Sequence, residues 1–334
     1  MTTLRIGTLG AARITPAALI KPAREVDGVE VVAVAARDHE RAAKFATKHG
    51  IPRVHDSYEA LLADPEVDAI YNPLPNGLHG VWTIRALEAG KHVLCEKPFT
   101  ANAAEAEAVA AVAAGTDRVL MEAFHYRYHP VAQHMVDIIR GGEIGDVQRV
   151  ETNLCIPLPL PKDIRYRLDL AGGATMDTGC YAIHMNRTLA GEEPEVLSAT
   201  ARTARPQVDR WMRAELRYPS GASGTMTCAL WSSPPLKLGA RVVGSDGEVR
   251  VFNLTGPHLA YRMTLVRGGH KERIRVDGAK TSTYTYQLRA FLAAVRDGAP
   301  ILTAPADAIA NMRVVDAVYT ASGLGLRQPS TPRG

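Results

Sequence analysis

The sequence predicts an α/β protein in two parts: a doubly wound parallel sheet over residues 1–123, then an α+β domain over 124–334 with a large, mostly antiparallel open sheet. Up to residue 123, apolar β-rich runs alternate with stretches of 3.6-residue periodicity. Beyond about residue 145 the texture changes to period-2 strands joined by turns, and helical periodicity returns near the end.

In the first part the strand-like runs are LRIGTLG, VEVVAVA, AIYN, HVLC and VLMEA. Between them the periodicity predicts helices over Thr15 to Arg24, His39 to His49 and Asn76 to Ala89. Gly50 and Gly90 stand where helix C-termini favour glycine. Asp56 with Glu59, and Asn102 with Glu105, have capping-box spacing before apolar residues. Strand and helix in regular succession imply parallel strands covered on both faces.

In the second part, WMRAELRY puts Arg213, Glu215 and Arg217 on one face and Met212, Ala214, Leu216 and Tyr218 on the other. ASGTMTCAL, ARVVGSDGEVRVF and ERIRVDG continue the pattern, with GSDG and DG as hairpin signals. Leu288, Phe291, Leu292 and Val295 then fall at i, i+3, i+4 and i+7, and a last helix near Ala304 to Thr320 is expected to pack back on the body.

Composition narrows the function classes. With 334 residues, 46% of them hydrophobic, the chain can build a sizeable core, and disorder is excluded. A formal charge of +4 without basic blocks argues against nucleic acid or membrane as the main partner. Cys95, Cys155, Cys180 and Cys228 are far apart and have no zinc spacing, so they read as reduced core thiols and no metal is expected. There is no charged leader and no run of about 18 apolar residues. A soluble cytoplasmic protein is the expectation.

LRIGTLGAARIT reads as a strand, a tight turn and a helix start. On the dinucleotide fingerprint G-x-G-x-x-G its positions are Gly10, Ala12 and Thr15, a degenerate match. Its physics survives: Gly10 makes the turn, Ala12 lets the backbone approach a pyrophosphate, and the following N–H groups favour an anion. About 20 residues further on, an acidic residue would mark NAD. The chain has Ala36 and then Arg37, which suits the 2′-phosphate of NADP.

Ligands of open parallel sheets bind beyond the carboxyl ends of the strands. There AIYNPLPNGLH places Pro73, Leu74, Asn76 and His79, and HVLCEKP places Glu96, Lys97 and Pro98. Proline restricts the residue before it, so Lys97 is held rather than floppy. Taken alone, Glu96 and Lys97 read as a strand-end salt bridge. A second cluster shifts the balance: if residues from about Met176 are helical, Asp177, Tyr181 and His184 recur at i, i+4 and i+7 on one face, just after a flexible AGG. Three proton-handling groups are costly to bury without purpose.

In this order GTLGAARI, AVAARDHERA, the PN…H segment, AGKHVLCEKP, EAFHYRYHP and GGATMDTGCYAI resemble the glucose-fructose oxidoreductase and inositol dehydrogenase (Gfo/Idh/MocA) family over nearly the whole chain. The likeness is greatest to the branch with NADP-dependent trans-dihydrodiol and D-xylose dehydrogenases, which has tyrosine where Tyr181 stands. The resemblance implies a Rossmann domain, a second domain with an open sheet, and homodimers or homotetramers formed through that sheet. It implies NADP held by Gly10, Ala11, Ala12, Arg13, Ile14, Arg37, Pro73, Leu74, Asn76, His79, Glu96, Lys97 and Pro98. Lys97 matches the catalytic lysine, Asp177 the ligand of a substrate hydroxyl and Tyr181 the acid/base. Arg127 and His129 match a segment lining the substrate cleft. His184 departs from the small polar residue common in this branch, which leaves open a second proton carrier.

The expected activity is therefore hydride transfer between nicotinamide and the carbinol carbon of a sugar, polyol or trans-dihydrodiol, with Tyr181 as base and Lys97 favouring its ionised form. The alternatives are an oxidoreductase that retains NADP and alternates two substrates, and a non-catalytic NADP-binding regulator.

Overall fold

The five strands predicted from the first part form, joined by a short sixth over Arg53–His55, and each is parallel to its neighbours in a computed structural model that describes residues 3–160 and 162–332. They are β1 (Leu4–Leu9), β2 (Val29–Ala35), β3 (Arg53–His55), β4 (Ala69–Asn72), β5 (His92–Cys95) and β6 (Leu120–Glu122). Their order is β3-β2-β1-β4-β5-β6, and it reverses beside β1, the kind of switch point at which a crevice opens beyond the strand ends. Ala33, Val34 and Ala35 are wholly buried because both faces are covered. Gly7 allows a close approach: a Cβ there would stand 2.8 Å from Leu61 Cδ2.

The connecting helices follow their sequence signals, with two corrections. The predicted helix over Thr15 to Arg24 is a π-helical turn, Pro16–Ile20, running into the short α1 (Lys21–Ala23). Pro22 has no N–H to return to Ala18, and the Lys21 N–H bonds the Pro16 carbonyl instead. α2 (His39–His49) starts at Asp38, whose carboxylate accepts from Arg41 N–H, and stops at Gly50 with φ 72°. α3 (Tyr58–Ala63) is capped by Ser57, not Asp56: the Ser57 hydroxyl accepts from Ala60 N–H at 3.0 Å. α4 (His79–Glu88) follows a single 3₁₀ turn over Asn76–Leu78. α5 (Ala103–Ala114) starts at Asn102, which accepts from Glu105 N–H, and Glu105 reaches back to Ala101 N–H at 2.8 Å.

The expected single domain over 124–334 is corrected, because the chain returns to the first unit late. This unit runs to His125 and takes in Tyr284–Ile309. α8 (Thr283–Asp297) lies in it from Tyr284 onward; Thr285 donates to Glu25 at 2.8 Å and Arg296 to the Gly28 carbonyl at 3.0 Å. Thr303 lies along β6, giving its hydroxyl to the Glu122 carbonyl and its own carbonyl to Glu122 N–H.

The second unit, Tyr126–Thr283 with Ala310–Ser330, holds α6 (Pro130–Arg140), α7 (Cys180–Ala190) and an eight-stranded sheet. The sheet is made of β7 (Val147–Cys155), β8 (Glu195–Arg205), β9 (Val208–Arg217), β10 (Ser223–Ala229), β11 (Lys237–Gly244), β12 (Gly247–Phe252), β13 (Arg262–Arg267) and β14 (His270–Ile274). Their order is β14-β13-β12-β11-β7-β10-β9-β8, with β7 and β10 the parallel pair. Met212, Ala214, Leu216 and Tyr218 are buried as their alternation predicts. Asn186 of α7 is bound to this sheet through Thr152 at 2.7 Å and the Thr225 carbonyl at 2.9 Å. Ser245 and Asp246 make the predicted hairpin turn, whereas the hairpin after β13 turns at Gly268 and Gly269 rather than at the DG of Asp277 and Gly278. Both of those glycines have positive φ, which a two-residue turn requires. α9 (Pro305–Ala321) closes the described helices.

Glu105 gives a test of the first unit. Its carboxyl lies where a Cβ of Gly80 would be, and burial raises its pKa from the ordinary carboxylate value to about 7, against the Ala101 N–H bond that lowers it. Between the unfolded value of about 4.5 and this raised one, the folded chain binds the extra proton, so stability falls as pH rises through that window. Glu105→Gln removes the slope: in urea unfolding it is expected to exceed the wild type at pH 8 by about 1–3 kcal/mol and to converge with it below about pH 4.5. A variant less stable than the wild type at pH 8 contradicts this.

Candidate active site

β1 delivers the chain to Gly10 at φ 83°, and a Cβ there would lie 3.3 Å from Leu74 Cδ2 and 3.7 Å from the Tyr58 hydroxyl. The expected cofactor residues Gly10 and Leu74 thus face each other across the switch point. Ala11 is buried, Ala12 half-buried, and Arg13 and Ile14 are exposed. Thr15, at the third fingerprint position, buries a hydroxyl that has no hydrogen-bond partner.

Arg37 is exposed just past the end of β2. Beside it stand two residues that the sequence reading missed. Arg41 gives Nη2 to the Ala11 carbonyl at 2.7 Å, tying α2 to the fingerprint turn. Tyr58 is held by burial above the usual phenol pKa, while a bond from the Arg37 backbone and the charges of Arg37 and Arg41 pull it down. The signal for Arg41 was its place one helical turn after Arg37 in AVAARDHERA. An open glycine turn, small neighbours and two guanidinium groups at the end of β2 fit a phosphorylated dinucleotide.

Beyond β4 and β5, the structure corrects His79. Its imidazole is fully buried, with Nδ1 2.7 Å from the Pro98 carbonyl and Nε2 2.7 Å from the Leu74 carbonyl. Burial lowers its pKa to about 4, the two carbonyls oppose that shift, and Lys97 adds to it. A ring so engaged is no cofactor ligand; it staples the loop holding Pro73, Leu74 and Asn76 to the loop holding Glu96, Lys97 and Pro98. Asn72 supports the staple, its amide donating to the His79 carbonyl and to Thr83 at 3.1 Å. Glu96 is buried and accepts from Tyr71 of β4 at 2.7 Å. Lys97 is half-buried, just past the end of β5, and the Lys97–Pro98 peptide is cis.

In the second unit Asp177 belongs to a π-helical turn, Thr175–Gly179, that runs into α7. The expected α-helical face is therefore only partly present. Tyr181 and His184 both meet Tyr126: its ring is 6.1 Å from that of Tyr181, and its hydroxyl is 2.6 Å from His184 Nδ1. Both Tyr126 and His184 are about 1% exposed, so His184 stands behind Tyr181 rather than at a surface. Asp177 instead pairs with Arg165 at 2.8 Å, and Arg165 also reaches Asp163 at 3.1 Å. The Asp177 charge raises the guanidinium pKa further above its usual value, against burial.

Sequence reasoning missed Tyr126, Asp163 and Arg165; the signal for the last two was the charged KDIR that follows the apolar IPLPLP. Arg127 is buried, with Nη1 lacking a partner. His129 is corrected from a cleft residue to a structural one: wholly buried, it caps α6 by accepting from Val131 N–H, and its Nε2 meets the Thr281 carbonyl at 3.2 Å. All four cysteines are buried and free. Among the described residues no group of three or more His, Cys, Asp or Glu could hold a metal, and no helix is long and apolar enough to cross a membrane.

Residues 4–124 match the model of an oxidoreductase family with an NAD-binding Rossmann fold, and 132–250 match the GFO/IDH/MocA C-terminal domain. The chain is 37% identical to a D-xylose 1-dehydrogenase (NADP(+)) of Haloferax volcanii over 96% of its own length and 98% of the relative's. It is also 37% identical to the human trans-1,2-dihydrobenzene-1,2-diol dehydrogenase, over 73% of its own length and 71% of that protein's. Among solved structures, a 3-ketoreductase from Actinomadura kijaniata in complex with NADP superposes with a TM-score of 0.87 at 30% identity, covering 99% of this chain and all of the other. An aldose-aldose oxidoreductase from Caulobacter crescentus gives 0.88 at 26% identity, over 96% and 98% of the two chains. With both domains matched and such relatives along its length, the chain belongs to the Gfo/Idh/MocA family of oxidoreductases.

Proposed function

We propose that the protein is an NADP-dependent dehydrogenase or reductase that interconverts a secondary alcohol and a carbonyl on a sugar, polyol or trans-dihydrodiol. What supports this reading is a lysine just past the carboxyl end of β5 in the first unit and, in the second, an aspartate in the turn leading into α7 and a tyrosine at its start, in a chain whose relatives include a D-xylose 1-dehydrogenase (NADP(+)). NADP supplies the hydride acceptor at nicotinamide carbon 4. Tyr181 takes the proton from the substrate hydroxyl as the carbinol C–H bond gives up its hydride. Lys97 contributes the positive charge that stabilises the alcohol oxygen as that proton leaves. Asp177, oriented by Arg165, accepts a hydrogen bond from a neighbouring substrate hydroxyl. A second reading, retained NADP serving two sugars in turn, is favoured by the likeness to the aldose-aldose oxidoreductase; cofactor that stays with the protein through gel filtration would support it.

Single-turnover hydride transfer tests the assignment. Tyr181→Phe and Lys97→Met are each expected to slow the step by about 100-fold or more, as loss of a general base or its activator does. Near wild-type rates in either variant would remove that residue from the chemistry.

Arg37→Ala tests the cofactor. It is expected to weaken NADP binding by about 10- to 100-fold, the loss of a charge-assisted phosphate contact, and to leave NAD binding within about twofold. Equal losses for both dinucleotides, measured by titration of the nicotinamide fluorescence, would overturn the 2′-phosphate role.

A further inference from the structure

Asp209 on β9 and Arg327, six residues past α9, form an ion pair 3.1 Å long in which both side chains are fully buried. Their bonds converge on the stretch that leads into Asp177. Arg327 Nε donates to the Gly172 carbonyl at 2.7 Å, and Nη1 to the Gly325 carbonyl at 3.0 Å. The other Asp209 oxygen accepts from both the N–H and the hydroxyl of Thr175, each at 2.7 Å. Tyr319 donates to Asp209 at 3.0 Å, and its ring lies 4.0 Å from the guanidinium. Between the two anchored residues is Gly173 at φ 137°, where a Cβ would stand 2.2 Å from the Asp209 carboxylate. The Gly173 carbonyl in turn accepts from Asp177 N–H at 3.1 Å.

A buried ion pair is weak evidence for stability, because well-packed apolar residues of like volume often serve as well or better. This pair does something that apolar residues would not. It fixes a carbonyl and an N–H on either side of a glycine that has no side chain to hold it, four residues before Asp177 and eight before Tyr181.

We propose that Arg327 and Asp209 are positioning residues, which set the backbone from Gly172 to Thr175 and through it the placement of Asp177 and Tyr181. The segment ending at Arg327 is thereby part of the active site's framework. This rests on the reading of Asp177 and Tyr181 as reaction groups.

The test uses the full chain with Arg327→Ala and Tyr319→Phe variants. Arg327→Ala is expected to bind NADP like the wild type, since the cofactor residues belong to the other unit, and to lose about 100-fold in kcat, the scale of a small misplacement of reacting groups. Added guanidinium ion should restore at least about tenfold of that loss, which an indirect loss of fold would not show. Tyr319→Phe, which removes one bond to Asp209 and keeps the ring, is expected to lower kcat by about tenfold at unchanged NADP affinity. Arg327→Ala with kcat within about twofold of wild type overturns the proposal; should that variant not fold, the same result in Tyr319→Phe overturns it. If the wild type oxidises no alcohol on a broad polyol and aldose panel, the functional reading fails, and amide exchange over residues 175–181 decides the positioning role. Faster exchange in Tyr319→Phe supports it, and unchanged exchange overturns it.

Discussion

Every strand of the first sheet runs the same way, so all six end at one edge, and this constraint gathers the chemistry of that unit. β1 leads into Gly10, β2 into Ala36 and Arg37, β4 into Pro73 and β5 into Glu96 and Lys97. These four places are far apart in sequence. The parallel arrangement brings them together because its crossovers return each strand to the same starting edge. The loops at the carboxyl edge must then be fixed to one another, since the sheet holds their roots and not their tips. His79 does that between the β4 and β5 loops, and Arg41 does it between α2 and the fingerprint turn.

The second unit solves a different problem. Its sheet is mostly antiparallel and has no common strand end at which to collect groups, so the candidate site residues Asp177 and Tyr181 ride on the helix packed against it and on the turn leading into that helix. A helix start leaves its first N–H groups unbonded, and a π turn makes the geometry wider still. Thr175 settles one of those donors on Asp209, a buried carboxylate from the sheet. The cost of burying that charge is offset by four hydrogen-bond donors, three of them from side chains far apart in the chain. Polar groups inside this unit therefore act as registration points: Asn186 fixes the helix along the sheet and Asp209 fixes its start.

Much of this was legible in the sequence, for identifiable reasons. Five of the six parallel strands, the αL stop at Gly50, the Asn102 cap and the buried face of β9 follow from local periodicity and cap chemistry, which do not depend on distant partners; the three-residue β3 is too short to show a period. Lys97, Asp177 and Tyr181 could be singled out because polar residues at a strand end or in an apolar helix are costly and therefore conspicuous. His79 and His129 were conspicuous for the same reason, yet their rings are bound to backbone carbonyls and a backbone N–H. Sequence shows that an imidazole must find partners, not which. The return of residues 284–309 to the first unit was illegible for a related cause: the α8 periodicity says that one face is buried but not against what. Arg327 looks like an ordinary arginine in the sequence, and only the fold turns it onto Gly172.

The tyrosine cluster shows how the two kinds of buried polar group combine. Tyr181 is buried at the start of α7, where the position of its ring depends on what packs against it. Tyr126 supplies part of that packing. Its ring packs against Tyr181 while its own hydroxyl is engaged by His184, one turn further along the same helix. Packing of that kind fixes the position of a ring through van der Waals contact. His184 is itself about 1% exposed, so its bond to the Tyr126 hydroxyl gives a buried imidazole a partner and the tyrosine ring a fixed orientation; a residue too small to reach Tyr126 would remove that bond.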